Sequence, residues 1–267
     1  MSNYREFFAF TREPFAQDVS TKDLFPFKAL EPCVERFKYV LETGATCVIT
    51  GEIGSGKSTT LRLCASKLHS ARYKTIALIA HSGSWNELLR QIILSFGAEC
   101  RTNSLATMIK MARDLVLEVV QKKQIPVLLI DEAHLLRQEI FGQIHTLTQS
   151  EYDSKSILPM MLSGQNQLLD KLSSYTARPL ASRVVARTHL EALTLLEMTA
   201  YLNHHLKVAG VNDELFAETT AQAIHQGSGG FLRKANILAR GALIAAAREK
   251  SELVTAEHVR LAATELI

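Results

Sequence analysis

The chain has four cysteines (Cys33, Cys47, Cys64 and Cys100) but no CxxC spacing among them. That removes the usual dithiol-redox and zinc-ribbon signatures and leaves reduced core thiols as the expectation. Long hydrophobic runs are also missing. The longest apolar stretch, ALIAAA at Ala242–Ala247, is far short of the ~20 residues a membrane helix needs. Arg5, Glu6, Arg12 and Glu13 interrupt the first residues and leave no apolar leader core. No strong charge of either sign is present: 30 Lys and Arg stand against 27 Asp and Glu, a formal net charge of +3. Such a balance permits an anionic partner without pointing to one. Internal repeats and low-complexity tracts are absent as well. What is there is 47% hydrophobic content over 267 residues. That suffices for one large domain or a main domain with a companion, and the expected location is cytoplasmic.

Residues 1–30 are dense in phenylalanine and proline (FFAF, EPF, LFPF) and read as an irregular segment that packs onto something. A helix follows over Glu31–Thr43. Five short apolar runs then read as strands: Thr46–Thr50, Thr75–Ala80, Pro126–Asp131, Ile157–Gly164 and Val184–Leu190. The third is apolar without alternation, as in a sheet covered on both faces. Helical patterns separate them after Ser58, over SWNELLRQIILSFG, over Thr102–Gln124 and over Leu136–Gln149. In the Thr102–Gln124 helix, Leu105, Ile109, Ala112, Leu115 and Val119 form an apolar stripe. After Leu190 the strands stop. Leu195–Ala209, Glu214–Gln226, Gly230–Lys250 and Ala256–Ile267 all read as helices. Strands alternating with helices predict a doubly wound parallel five-stranded sheet, followed by a small all-helical unit. The expected divisions are 1–30, 31–191 and 192–267.

Gly51–Ser58 spells GEIGSGKS, which matches GxxxxGK[ST] between a predicted strand and a predicted helix. In that context backbone N–H groups of Gly51, Glu52, Ile53, Gly54, Ser55 and Gly56 close around phosphate oxygens, and the helix start through Thr59 adds its positive end. Lys57 is expected to reach the β- and γ-phosphates, and the Ser58 hydroxyl to ligate Mg²⁺. VLLIDEAH, Val127–His134, supplies a carboxylate at the end of an apolar strand. Asp131 is expected to hold the Mg²⁺ shell through water. Glu132 is placed to polarise an attacking water, so the acid pair argues for ATP hydrolysis rather than a nucleotide switch. His134 reads as structural.

With GEIGSGKS, then LLIDEAH about seventy-five residues on, then strands giving way to helices, the chain resembles the AAA+ P-loop NTPases. FFAFTREPF, LSGQNQL, ASRVVARTHLEALTLLEMTAYLNHHLKVAG and GSGGFLRKAN resemble a bacterial subgroup that includes the ATPase of type II secretion assembly and ATPase helpers of DDE transposases. The resemblance implies further roles. Gln165, with Asn166 beside it, stands at the first sensor position. Arg183 stands at the arginine finger offered to a neighbouring subunit's nucleotide, with Arg178 and Arg187 as rivals. Arg233 stands at the second sensor, in Gly-Phe-Leu-Arg where the subgroup commonly has Gly-x-Pro-Arg. Pro14 and Phe15 lie either near the nucleotide base or over core edges.

A finger acting in trans implies a self-assembled ring or helical filament. The subgroup implies an ATP-dependent transposition helper that binds double-stranded DNA and recruits a DDE transposase, or alternatively a secretion-channel assembly ATPase. Secretion members typically carry a membrane segment and a cell-wall-binding portion after the ATPase, so a chain ending at Ile267 favours the first. Lys110 with Arg113, or Lys122 with Lys123, are candidate phosphate contacts.

Overall fold

The computed structural model describes residues 4–150, 155–212 and 214–264. The chain divides into two compact units. One comprises Lys28–Gly51 and Lys57–Leu190. The other comprises the described residues of Met1–Phe27, Glu52–Gly56 and Glu191–Ile267.

The first unit is built on five parallel strands, β1 (Thr46–Gly51), β2 (Tyr73–Ile79), β3 (Ile125–Asp131), β4 (Met160–Gly164) and β5 (Val184–Leu190), in the order β2-β3-β4-β1-β5. β1 and β4 are buried at every residue, and β3 at all but its two ends, because helices cover both faces of the sheet. The edge strand β5 alternates between exposed and buried in its second half, as one-sided burial dictates. Parallel pairing sets Asp131 opposite Ile79 and Gly164 opposite Thr50. The residues that follow β1, β3 and β4 therefore leave the same end of the sheet.

Five helices serve this sheet: α1 (Leu30–Thr43), α2 (Lys57–Ser66), α3 (Trp85–Ser95), α4 (Leu105–Gln121) and α5 (Gln167–Ser173). Ser84 and Glu87 cap the start of α3 reciprocally. Leu128, Ile130, Met160 and Leu162 from the strands pack with Leu89, Ile93, Met108 and Val116 from α3 and α4.

All five expected strands form, with three local differences. The fourth begins at Met160 rather than Ile157 because Pro159 has no N–H to give; its carbonyl instead accepts from Leu128 at 3.0 Å. The single helix expected over Leu136–Gln149 is broken into a one-turn α-helix, Gln138–Phe141, and a 3₁₀ turn, Ile144–Leu147. Gln149–Ser150 then pairs with Lys155–Ser156 as a short antiparallel ribbon. A Cβ at Gly142 would meet the Thr176 carbonyl at 3.0 Å, so the chain is pressed against a neighbour where the helix would continue. In α4 the buried stripe is Met108, Ala112, Val116 and Val119, and Leu105 is exposed in the first turn.

The second unit holds α6 (Leu195–Val208), α7 (Glu218–Ser228), α8 (Leu232–Arg248) and α9 (Ala256–Thr264). Thr194 and Glu197 form the capping box of α6. The helix expected from Glu214 starts at Glu218, because Phe216 bridges to Val254 first. The end of the last expected helix, residues 265–267, lies outside the described residues.

The N-terminal aromatics belong to this unit. Phe15 is fully buried and stacks on His205 at 5.3 Å, with Phe216 at 6.0 Å. It fills the core of the helical unit rather than lying open to a base.

His205 is buried among Phe15, Tyr201 and His204, and burial, with a smaller push from His204, brings it down to about 4. Between its ordinary value near 6.5 and that value, the unfolded chain takes a proton that the folded chain refuses. The contribution is therefore full above pH 6.5 and is lost as pH falls toward 4, by at most about 3 kcal/mol. Melting curves between pH 7 and 4 are expected to show this slope, and His205→Phe to flatten it.

Candidate nucleotide site

β1 delivers the chain at Gly51, and α2 begins at Lys57. The intervening loop turns on Gly54 (φ +81°) and Gly56 (φ +96°), where a side chain would be strained. Lys57 is buried, and its Nζ donates to the Gly51 carbonyl at 2.9 Å. Ser55 Oγ is buried with no hydrogen-bond partner. Ser58 is exposed in the first turn of α2, whose leading N–H groups have no intrahelical acceptor.

The loop's Gly54 also meets α8. Arg233 N–H donates to the Gly54 carbonyl at 3.2 Å, and a Cβ on Gly54 would sit 2.9 Å from the Arg233 Cβ. Gly229 and Gly230 precede α8 with φ of +61° and +78°. A Cβ on Gly230 would lie 2.5 Å from the Leu193 carbonyl. These glycines bend the chain so that the start of α8 faces the loop. Leu232, where the subgroup commonly has proline, places its Cδ1 3.2 Å from the Cβ position of Gly56. Further along α8, Asn236 accepts from the Tyr201 hydroxyl at 2.6 Å, and Arg240 lies 4.0 Å from Glu13. Arg233, Asn236 and Arg240 fall at i, i+3 and i+7 along α8, and the last two hold the unit together.

β3 ends at Asp131, whose Oδ1 accepts from the Glu132 N–H at 2.9 Å. Glu132 itself has φ 53° and ψ 31°, left-handed backbone that a non-glycine residue seldom adopts. A 3₁₀ turn, Ala133–Leu135, follows. The buried His134 sets its Nδ1 3.4 Å from Glu132 Oε2 and 3.4 Å from the N–H of Gln165, the residue after β4. Burial, the largest influence, lowers the His134 pKa and favours the neutral ring. A neutral Nδ1 either accepts from Gln165 or donates to Glu132, but not both at once. Asn166 begins α5 without capping it through its side chain. Sequence reasoning read His134 as structural and passed over Lys171, whose contacts with this turn are visible only in three dimensions.

The three candidate fingers differ. The Arg178 guanidinium lies 4.7 Å over the ring of exposed Tyr175. Arg183 folds its guanidinium back on the Pro179 carbonyl, while its own carbonyl accepts from Thr46 N–H at 3.0 Å. Arg187 is exposed on β5. Among the candidate phosphate contacts, Lys122 pairs with Glu118 at 2.6 Å and Arg113 reaches the Gln149 carbonyl at 3.5 Å.

The donor set fits a nucleoside triphosphate with Mg²⁺: positive-φ glycines, an orphaned serine hydroxyl, a buried ammonium and helix N–H groups for phosphates, and a hydroxyl and a carboxylate for a hard cation.

Residues 41–172 match the AAA domain family. General secretion pathway protein A of Aeromonas hydrophila is 31% identical over 266 residues, which are 98% of this chain and 48% of that protein. The chain therefore spans about half the length of that curated relative. Among solved structures, Cdc6p from Pyrobaculum aerophilum superposes with a TM-score of 0.72 at 17% identity, covering 95% of this chain and 70% of that one. The Aeropyrum pernix ORC1 protein, solved in complex with DNA, gives 0.72 at 20% identity, covering 94% and 68%. At those identities the likeness is one of fold. The chain is thus built on the AAA+ P-loop NTPase fold, and its residues 41–172 match the AAA domain family.

Proposed function

We propose that the protein binds ATP with Mg²⁺ and hydrolyses it to ADP and phosphate in an assembly of its own copies. The observation that carries this reading is the Asp131–Glu132 pair at the end of β3, leaving the sheet at the same end as the glycine loop. Gly51 to Gly56 and Thr59 line the phosphates, and Lys57 balances their charge. Ser58 and Asp131 would hold Mg²⁺, which neutralises charge on the phosphates when bound. Glu132 accepts the proton of the attacking water, Gln165 orients that water, and Arg233 contacts the γ-phosphate. Arg183 is our choice for the finger supplied to a neighbouring copy, because it stands at the finger position in the resemblance of ASRVVAR to the subgroup.

The work done with this energy is proposed to be transposition: copies assemble on duplex DNA in a ring or helical filament and recruit a DDE transposase in the cytoplasm. β2 and β3 start side by side, with Tyr73 opposite Ile125 and Lys74 opposite Pro126, and the Ile125 N–H donates to the Arg72 carbonyl, so Arg72 and Lys74 come near Lys122 and Lys123. Gln124 ties the two connections together through the Ser70 carbonyl at 2.8 Å. That gathering of cations supports a polyanion partner. A second reading, assembly of a type II secretion channel, is favoured by the relative named for general secretion. Among the described residues no helix is long and apolar enough to cross a membrane.

The two readings part on one measurement. With ATP present, duplex DNA binding is expected, weakening steeply between 50 and 200 mM salt because counterion release gains less as salt rises, by ~10-fold or more for a few phosphate contacts. Charge reversal at Arg72 and Lys74 is expected to reduce that slope. Absent or salt-insensitive DNA binding would move the assignment to secretion.

A further inference from the structure

The acid at Glu132 sits on left-handed backbone, and something must hold such a residue in place. Hydrogen bonds from α5 do so. Lys171 Nζ donates to the carbonyls of His134 and Leu136, each at 2.6 Å, so one ammonium closes the turn that follows Glu132. Gln138, just past the turn, returns the contact by donating to the Lys171 carbonyl at 3.0 Å. No ion pair of Lys171 is found among the described residues, and burial lowers its pKa. An ammonium is costly to desolvate when its partners are only carbonyls. A leucine or methionine would fill the same space without that cost.

The end of β4 presses on the turn from the same side. A Cβ on Gly164 would come within 3.0 Å of the His134 nitrogen and 3.3 Å of its Nδ1. Gln165, the next residue, reaches the same imidazole through its N–H. Leu168, on the first turn of α5, is fully buried, and its Cδ2 lies 3.2 Å from that Cβ position on Gly164. The segment Gly164–Lys171 therefore grips the turn at two points, the His134 ring and its two neighbouring carbonyls.

We infer that Lys171 is a positioning residue for Glu132: it locks the turn after the acid to the helix after Gln165, so that the two water-handling groups keep one geometry. The inference rests on the reading of Glu132 as the group that polarises water. Removing the lock leaves the nucleotide's binding groups in place and misaims the acid.

Lys171→Met keeps the stem and removes the donors. Its kcat for ATP is expected to fall on the order of 10- to 100-fold, the loss that a misplacement of about 1 Å produces. The Kd for a fluorescent ATP analogue is expected to stay within about twofold, because no phosphate-binding group is touched. Lys171→Arg, which again offers donors to both carbonyls, is expected to recover most of the rate. The double variant with Glu132→Gln should be no slower than Glu132→Gln alone, since both changes remove one function. Where Lys171→Met does not fold, Lys171→Gln, with one donor retained, is expected to show the same split at smaller size.

A wild-type kcat in Lys171→Met, or equal losses in kcat and binding, would overturn the inference and leave Glu132's role standing. A Glu132→Gln variant that hydrolyses ATP at the wild-type rate would overturn both.

Discussion

Glu132→Gln is expected to bind ATP as the wild type does and to turn it over 10²- to 10⁴-fold more slowly, the range for loss of a positioned general base. That is about 3–5 kcal/mol of barrier. The substitution is nearly isosteric, and the amide can still meet His134 Nδ1, so the left-handed backbone at this position is undisturbed. Asp131 keeps its contact with the N–H of residue 132, and nothing changes in the glycine loop. Binding and chemistry therefore separate. A fluorescent ATP analogue should report an unchanged Kd while phosphate release nearly stops. In the proposed assembly, copies that cannot hydrolyse ATP remain in the nucleotide-bound state, so light scattering or sedimentation with ATP should show a persistent oligomer. Turnover within a few-fold of wild type would mean that Glu132 is only a solvated acid after the strand.

The parts of the fold legible in the sequence are those where local pattern and tertiary demand coincide. Strands β1 and β3 are buried nearly throughout, so their apolar runs had one reading. The capping boxes at Ser84 and Thr194 mark helix starts that depend only on residues three positions apart. The segment after His134 was misread because its helical periodicity is real while its helix is interrupted by contact with residue 176, far along the chain. The face of α4 was misjudged for a similar reason: Leu105 and Met108 satisfy one apolar pattern equally well, and only the packing partner decides between them.

The candidate site divides the same way. The loop and the acids were legible because their chemistry needs fixed residues at fixed spacing beside a strand. The grip of Lys171 was not, because backbone carbonyls accept it, and carbonyls carry no sequence signature. Arg233 falls between the two cases. Its type and place were readable, but the approach of Gly54 to the start of α8 rests on Gly229 and Gly230 adopting positive φ together.

Lys57→Ala carries the largest expected effect on nucleotide binding. Lys57 is only 6% exposed, with its ammonium on the Gly51 carbonyl. A buried ammonium costs several kcal/mol to desolvate, and the Gly51 carbonyl offsets part of that. Triphosphate oxygens offset far more, through charge-assisted hydrogen bonds of about 1.5–3 kcal/mol each. Losing contacts to two phosphates should weaken ATP binding by about 100-fold or more, and hydrolysis should fall below detection at ordinary ATP concentrations. Without nucleotide, the melting temperature of the variant measures how far Lys57 holds the loop. The informative quantity is then the shift on adding ATP and Mg²⁺. Wild type at 100 times its Kd should gain about 2.7 kcal/mol, and Lys57→Ala at the same concentration almost none. A variant that keeps the shift and the turnover would remove Lys57 from the site. A variant that melts early without nucleotide would show instead that the lysine holds the loop.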